Sequence, residues 1–221
     1  MSPPEPAPAP GAHYGRYVLL LGLLIVVLLA VNTAVKKSGG IRGVPAGEML
    51  PPFAVPLATG NLKGDANIAT HANDGDLGRV PACTVRGAEI LNICQLYEQG
   101  PVVLALFVDS GSCPDILSDL QALSPSFPGV RIAAVSIKGD RSRLRRLVRS
   151  RHLTMPVGID SDGALAGLYD VASCPQVTFA YPGGVVQSAA LLHRPTRGAL
   201  RARLAELVAA ARARGWKEPA A

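Results

Sequence analysis

Residues 102–123 read VVLALFVDSGSCPDILSDLQAL, and the fold turns on how this stretch divides. Its first part, VVLALFV at 102–108, is a continuous apolar run of strand length, as expected for a strand buried on both faces. A helix follows from Pro114 through Leu123. Cys113 therefore falls between the end of a buried strand and the start of a helix, where unpaired backbone N–H groups and the helix dipole favour a thiolate.

Working outward, VRIAAVSI at 130–137 reads as a second buried strand. RSRLRRLVRSRH at 141–152 sets Leu144, Leu147 and Val148 on one helical face. The turn-rich IDSDG at 159–163 precedes a short helix through Leu168. QVTFAY at 176–181 is a third strand, and the Pro182-Gly183-Gly184 turn leads to its hairpin partner, VVQSAALL at 185–192. Thr196 caps a closing helix whose Leu200, Leu204, Leu207, Val208 and Ala211 form the apolar stripe. On the N-terminal side, Phe53, Val55 and Leu57 alternate as in a short strand, and residues 61–82 read as an irregular insertion. This order predicts an α/β domain over 51–215, a mixed sheet with helices on both faces, and a tail at 216–221.

Ahead of the domain, residues 17–35 read YVLLLGLLIVVLLAVNTAV, with no charge. Such a run is long enough to cross a bilayer core of about 30 Å, and it exceeds the apolar part of a cleaved signal peptide. A single transmembrane helix contacting membrane lipid is the expectation, with a proline-rich disordered tail at 1–16 and a glycine-rich linker at 36–50. The formal charge of +6 concentrates in arginine segments near 141–151 and 194–214. Both alternate with leucine at helical spacing and lack interleaved aromatics, so they read as solvated helix faces, and no nucleic-acid partner is expected.

Three segments carry a resemblance to a known family. RGAEILNICQLYEQGPVVLALFV, with Cys113-Pro114 just beyond, resembles the opening hairpin and central strand of the membrane-anchored thioredoxin-like, or redoxin, group. Ser173-Cys174-Pro175-Gln176-Val177-Thr178-Phe179 is similar to the segment in which a cis-proline faces the active-site cysteine. Ile159-Asp160-Ser161-Asp162-Gly163, followed by Leu168-Tyr169-Asp170-Val171, looks like the stretch that precedes that proline. Over 50–215 the resemblance implies a thioredoxin-like fold, a thiol oxidoreductase or peroxidase-like activity with a protein thiol or disulfide partner, and an extracytoplasmic domain. The charges flanking the apolar run, Arg16 before it and Lys36, Lys37 and Arg42 after it, point weakly to the opposite orientation.

The family's dithiol has two intervening residues, whereas here Cys113 is followed by Pro114-Asp115-Ile116. A self-contained exchange through that motif is excluded, because a second sulfur must displace the substrate from the mixed disulfide. What the resemblance implies instead is that Cys113, as nucleophile, lies near Cys174, which precedes the expected cis-proline, Pro175. The two then form a non-contiguous redox pair with Cys174 resolving, a structural bridge, or a lapsed site retained for binding partners. In the related peroxiredoxins a Ser or Thr lies three residues before the reactive cysteine, a place Ser110 fills. Their proline and arginine positions hold Leu106 and Gln176 here. Cys83 and Cys94, flanking an expected hairpin in CTVRGAEILNIC, read as a structural disulfide, and an even cysteine count suits an oxidising compartment. His71, His152 and His193 form no ligand pattern with the cysteines. No metal, cofactor, phosphate cradle or Ser-His-Asp arrangement is expected.

Overall fold

The computed structural model describes residues 12–36, 43–62, 80–192 and 195–218. They belong to two units, Met1–Gly40 and Ile41–Ala221. The described residues of the first form one helix, α1 (Ala12–Lys36). It begins before Tyr17, so residues 12–16, expected in the disordered tail, are helical. The prolines end at Pro10, and nothing after it forbids helical φ/ψ. Among the described residues no helix is long and apolar enough to cross a membrane. The described side chains of α1, residues 15–28, are exposed.

The second unit carries strands β1 (Ala54–Pro56) and β2 (Ile90–Asn92), helix α2 (Ile93–Gln99), strand β3 (Val102–Phe107), helix α3 (Asp115–Leu123), strand β4 (Arg131–Ile137) and helix α4 (Arg141–Ser150). Strand β5 (Val157–Asp160), helix α5 (Ala164–Leu168), strands β6 (Gln176–Ala180) and β7 (Val186–Leu192), and helix α6 (Arg197–Ala213) complete it. The main sheet has five strands in the order β5-β4-β3-β6-β7. β3 runs parallel to β4 and antiparallel to β6, and β5 runs parallel to β4. Every residue of β3 is buried, which explains its unbroken apolar run: both of its faces are covered. Val103, Ala105 and Phe107 face one core with α3, α4 and α6. Val102, Leu104 and Leu106 face the other with α2, α5, Phe53 and Tyr169.

Several expectations need correction. β5 lies where only a turn and a short helix were expected. Its Val157 and Ile159 are buried against the α3 and α4 side, but a four-residue strand ending in IDSDG is masked by its own turn signals. Cys83 and Cys94 do not flank a hairpin. Cys83 lies in a 3₁₀ turn, Cys94 opens α2, and β2 pairs with β1 instead. The cause is Asn92, whose Oδ1 accepts from the N–H groups of Cys94 and Gln95 and so caps the helix. The C-terminal part of the expected linker belongs to the domain: Val44 and Leu50 are buried, and Glu48 O accepts from Val186 N at 2.8 Å. Part of the expected tail also folds back. Trp216 covers Gly129, where a Cβ would meet its ring at 2.8 Å, and Glu218 pairs with Arg212. The expected insertion lies mostly outside the described residues, as do His71, His193, Lys37 and Arg42.

Candidate redox site at the end of the central strand

β3 ends at Phe107 and delivers the chain into a loop, 108–114, that turns through Gly111 at φ +59°. A residue with a Cβ is disfavoured in that left-handed conformation. Cys113 closes the loop just before α3 and is 7% exposed, part of the buried cluster that also holds Phe107, Ile116 and Leu117. Ile116, which occupies the place of the missing second cysteine, is fully buried. From the other side of the sheet's end, the segment before β6 brings in Cys174, whose peptide bond to Pro175 is cis. Cys113 and Cys174 form a disulfide with Cα atoms 5.6 Å apart, inside the reach such a bond needs. The sequence placed these two residues together only through the family resemblance.

The two sulfurs have different surroundings. Cys174 is exposed, and its Sγ accepts a hydrogen bond from the backbone N–H of Val108 at 3.0 Å. It borders a cavity of about 350 Å³ lined by Leu106, Val108, Ile137, Ala166, Val171 and Ser173 among others. Cys113 has the N-terminal end of α3 beside it. There the Arg151 guanidinium, carried just past the end of α4, donates to Pro114 O at 2.7 Å and to Asp115 Oδ1 at 2.8 Å. At the loop's other end Asp109 accepts from Asp140 N at 3.2 Å and pairs with Arg143 at 3.4 Å. α4 thus braces both ends of the loop. Neither Val108, Asp109 nor Arg151 is marked in the sequence, because a backbone donor and two long-range ion pairs leave no local pattern.

Ser110 lies exposed on the loop. Gln176 is buried, opposite Leu106 in the β3–β6 register. Its Nε2 donates to Tyr169 O at 3.1 Å, on the face of the sheet away from Cys113, so it does not take the arginine's place beside that sulfur. His152 is exposed past the end of α4.

No family model and no curated relative matches the chain. Solved structures do. A Chlorobium tepidum protein provisionally named thiol:disulfide interchange protein DsbE matches with a TM-score of 0.55 at 16% identity, over 76% of this chain and 98% of that one. The chain has a thioredoxin-like fold. The thioredoxin domain of a thiol-disulfide oxidoreductase from Bacteroides vulgatus gives 0.54 at 12% identity, over 75% and 99%. A thiol-disulfide oxidoreductase from Bacteroides fragilis gives 0.52 at 15%, over 72% and 99%.

The second disulfide, Cys83–Cys94, has Cα atoms 5.3 Å apart and lies away from this loop. Cys94 is 1% exposed, and Cys83 Sγ contacts the Tyr97 hydroxyl at 3.7 Å. Burial lifts that hydroxyl above its ordinary value. Asn92 Nδ2 also donates to Ala82 O and Val85 O, so the bridge sits within a fully bonded turn, as a structural disulfide does.

Proposed function

We propose that this protein is a membrane-tethered thiol–disulfide oxidoreductase whose redox centre is the Cys113–Cys174 pair. One observation carries the reading: a disulfide joins the end of the central strand to the cis-proline segment, and its Cys174 end is exposed beside an apolar cavity. Cys83–Cys94 is more enclosed, with Cys94 buried and Cys83 half-buried. Partners are protein thiols or disulfides. The apolar run at 17–35, within α1, supports a single span holding the domain in an extracytoplasmic compartment, where such bonds persist. Peroxidase chemistry has less support, since Gln176 bonds to Tyr169 O rather than pointing at the pair.

The test is equilibration of the full chain, in detergent, with a series of glutathione redox buffers, followed by mass mapping of both bridges. Reversible two-electron titration of Cys113–Cys174, with Cys83–Cys94 staying oxidised, is the expected result. A Cys113–Cys174 bridge as resistant as Cys83–Cys94 would leave the second reading, a binding module that has lost catalysis, which the buried Ile116 favours. Protease protection of the chain in sealed vesicles tests the tether: the whole of 41–221 should lie on one side.

A further inference from the structure

The family resemblance assigns attack to the cysteine before the helix. The local geometry points the other way, and we infer that Cys174 is the sulfur that exchanges with the partner, Cys113 being the buried member that leaves and returns. This rests on the redox reading above. Thiol–disulfide exchange requires the incoming thiolate to reach one sulfur along the S–S axis, and the sulfur it reaches is set by access. Cys113 is 7% exposed and belongs to the buried core cluster on the α3 side of the sheet. Cys174 is exposed and is the member of the pair that lines the cavity.

Charge development fits the same order. When a partner thiolate attacks Cys174 Sγ, a new S–S bond forms to Cys174 and the bond to Cys113 breaks. Its electron pair goes to Cys113, which departs as a thiolate at the start of α3. There the helix N-terminus and Arg151, bonded to Pro114 O and Asp115, lower the energy of the negative charge. A lower thiol pKa makes a better leaving group. In the second step the partner's other thiolate attacks the partner sulfur of the mixed disulfide. The partner is then oxidised to its disulfide and Cys174 is released as a thiolate, which the Val108 N–H meets at 3.0 Å. Two electrons pass from the partner dithiol to the protein disulfide, and the two partner protons end on the protein thiols or in solvent. The reverse sequence reduces a partner disulfide.

The cavity specifies the partner's chemistry. Its walls are Leu106, Val108, Ile137, Ala166 and Val171, so it takes an apolar side chain next to the reacting cysteine, whose burial there adds to the stability of the mixed disulfide. The partner class is a protein or peptide dithiol flanked by an aliphatic residue.

The test uses the full chain in detergent, reduced and then pulsed with limiting iodoacetamide at pH 7, with each cysteine quantified by peptide mapping. Cys174 should be alkylated at least about tenfold faster than Cys113, because access outweighs the greater thiolate character of the buried sulfur. Faster modification of Cys113 would overturn the inference and leave the redox reading standing; rates at both no greater than that of free cysteine would remove the redox reading and the inference with it. As a second measurement, the oxidised protein is mixed with glutathione and the mixed disulfide mapped: it should lie on Cys174, and its appearance on Cys113 overturns the assignment. Model peptide dithiols flanked by leucine should react about tenfold faster than serine-flanked ones, roughly the discrimination one apolar side chain provides. Equal rates would overturn the cavity's part in the proposal.

Discussion

Asn92 is 1% exposed, and both ends of its amide are engaged: Oδ1 with the N–H groups of Cys94 and Gln95, Nδ2 with the carbonyls of Ala82 and Val85. Asn92→Ala strands two buried carbonyls and removes a helix cap, so it should cost about 2–3 kcal/mol in denaturant unfolding. Tyr169 is fully buried in the core that also holds α2. Its ring meets Phe53 edge-on at 5.7 Å, and its hydroxyl donates to Pro51 O at 2.7 Å. Burial pushes that hydroxyl well above the ordinary tyrosine value. The unfolded side chain titrates near pH 10, so the stability tied to its neutral form is fully present below that pH and is lost as pH rises through the folded value. Tyr169→Phe should lower stability at pH 7 by about 1 kcal/mol and flatten the alkaline fall. An unchanged alkaline slope in thermal melts would assign that fall to other groups.

α4 is the element whose sequence and role are furthest apart. Its arginines read as a solvated face, yet Arg141 and Arg145 donate to the carbonyls of Leu57, Ala58 and Gly60, and Arg143 and Arg151 hold the two ends of the cysteine loop. The helix starts on Asp140, whose carboxylate accepts from the Ser142 hydroxyl and the Arg143 N–H. Those bonds, with Ser142 first, hold it below the ordinary carboxylate range. Its contribution is therefore present above that range and fades as pH falls through the folded value. Asp140→Ala should lower the melting temperature at neutral pH and have a smaller effect in acid. Arg151→Gln leaves the Asp115 charge beside Cys113. It should raise the Cys113 thiol pKa and slow exchange at pH 7 by roughly threefold to tenfold, the size of a partly screened charge effect. The double variant Asp115→Asn with Arg151→Gln should recover much of the rate, a rescue that a purely structural role for Arg151 would not show.

At the scale of the molecule, the division at Gly40 and Ile41 predicts that the chain from Ile41 folds alone. Its cooperative unfolding midpoint should match that of the same domain in the full-length protein, and a large drop would mean that α1 packs on it. The buried strands at β3 and β4, the β6–β7 hairpin and the capped α6 were all legible in the sequence, because each is decided by a local period or a local cap. β5 was not, since a strand of four residues has too few side chains to show a period and draws its stability from pairing with β4. The same holds for Val44, Leu50 and Trp216, whose burial depends on distant partners. Cys113 was visible as a residue in a thiolate-favouring place, and Cys174 became its neighbour only through a resemblance. The sequence by itself determined the elements with a local period, β3, α3, β4, α4, β6, β7 and α6, and the chemistry available to the cysteines. Which sulfur faces outward, which backbone N–H it meets and which arginine steadies the other were decided by tertiary structure alone. Those contacts join residues tens of positions apart, and no local pattern encodes a distance across the fold.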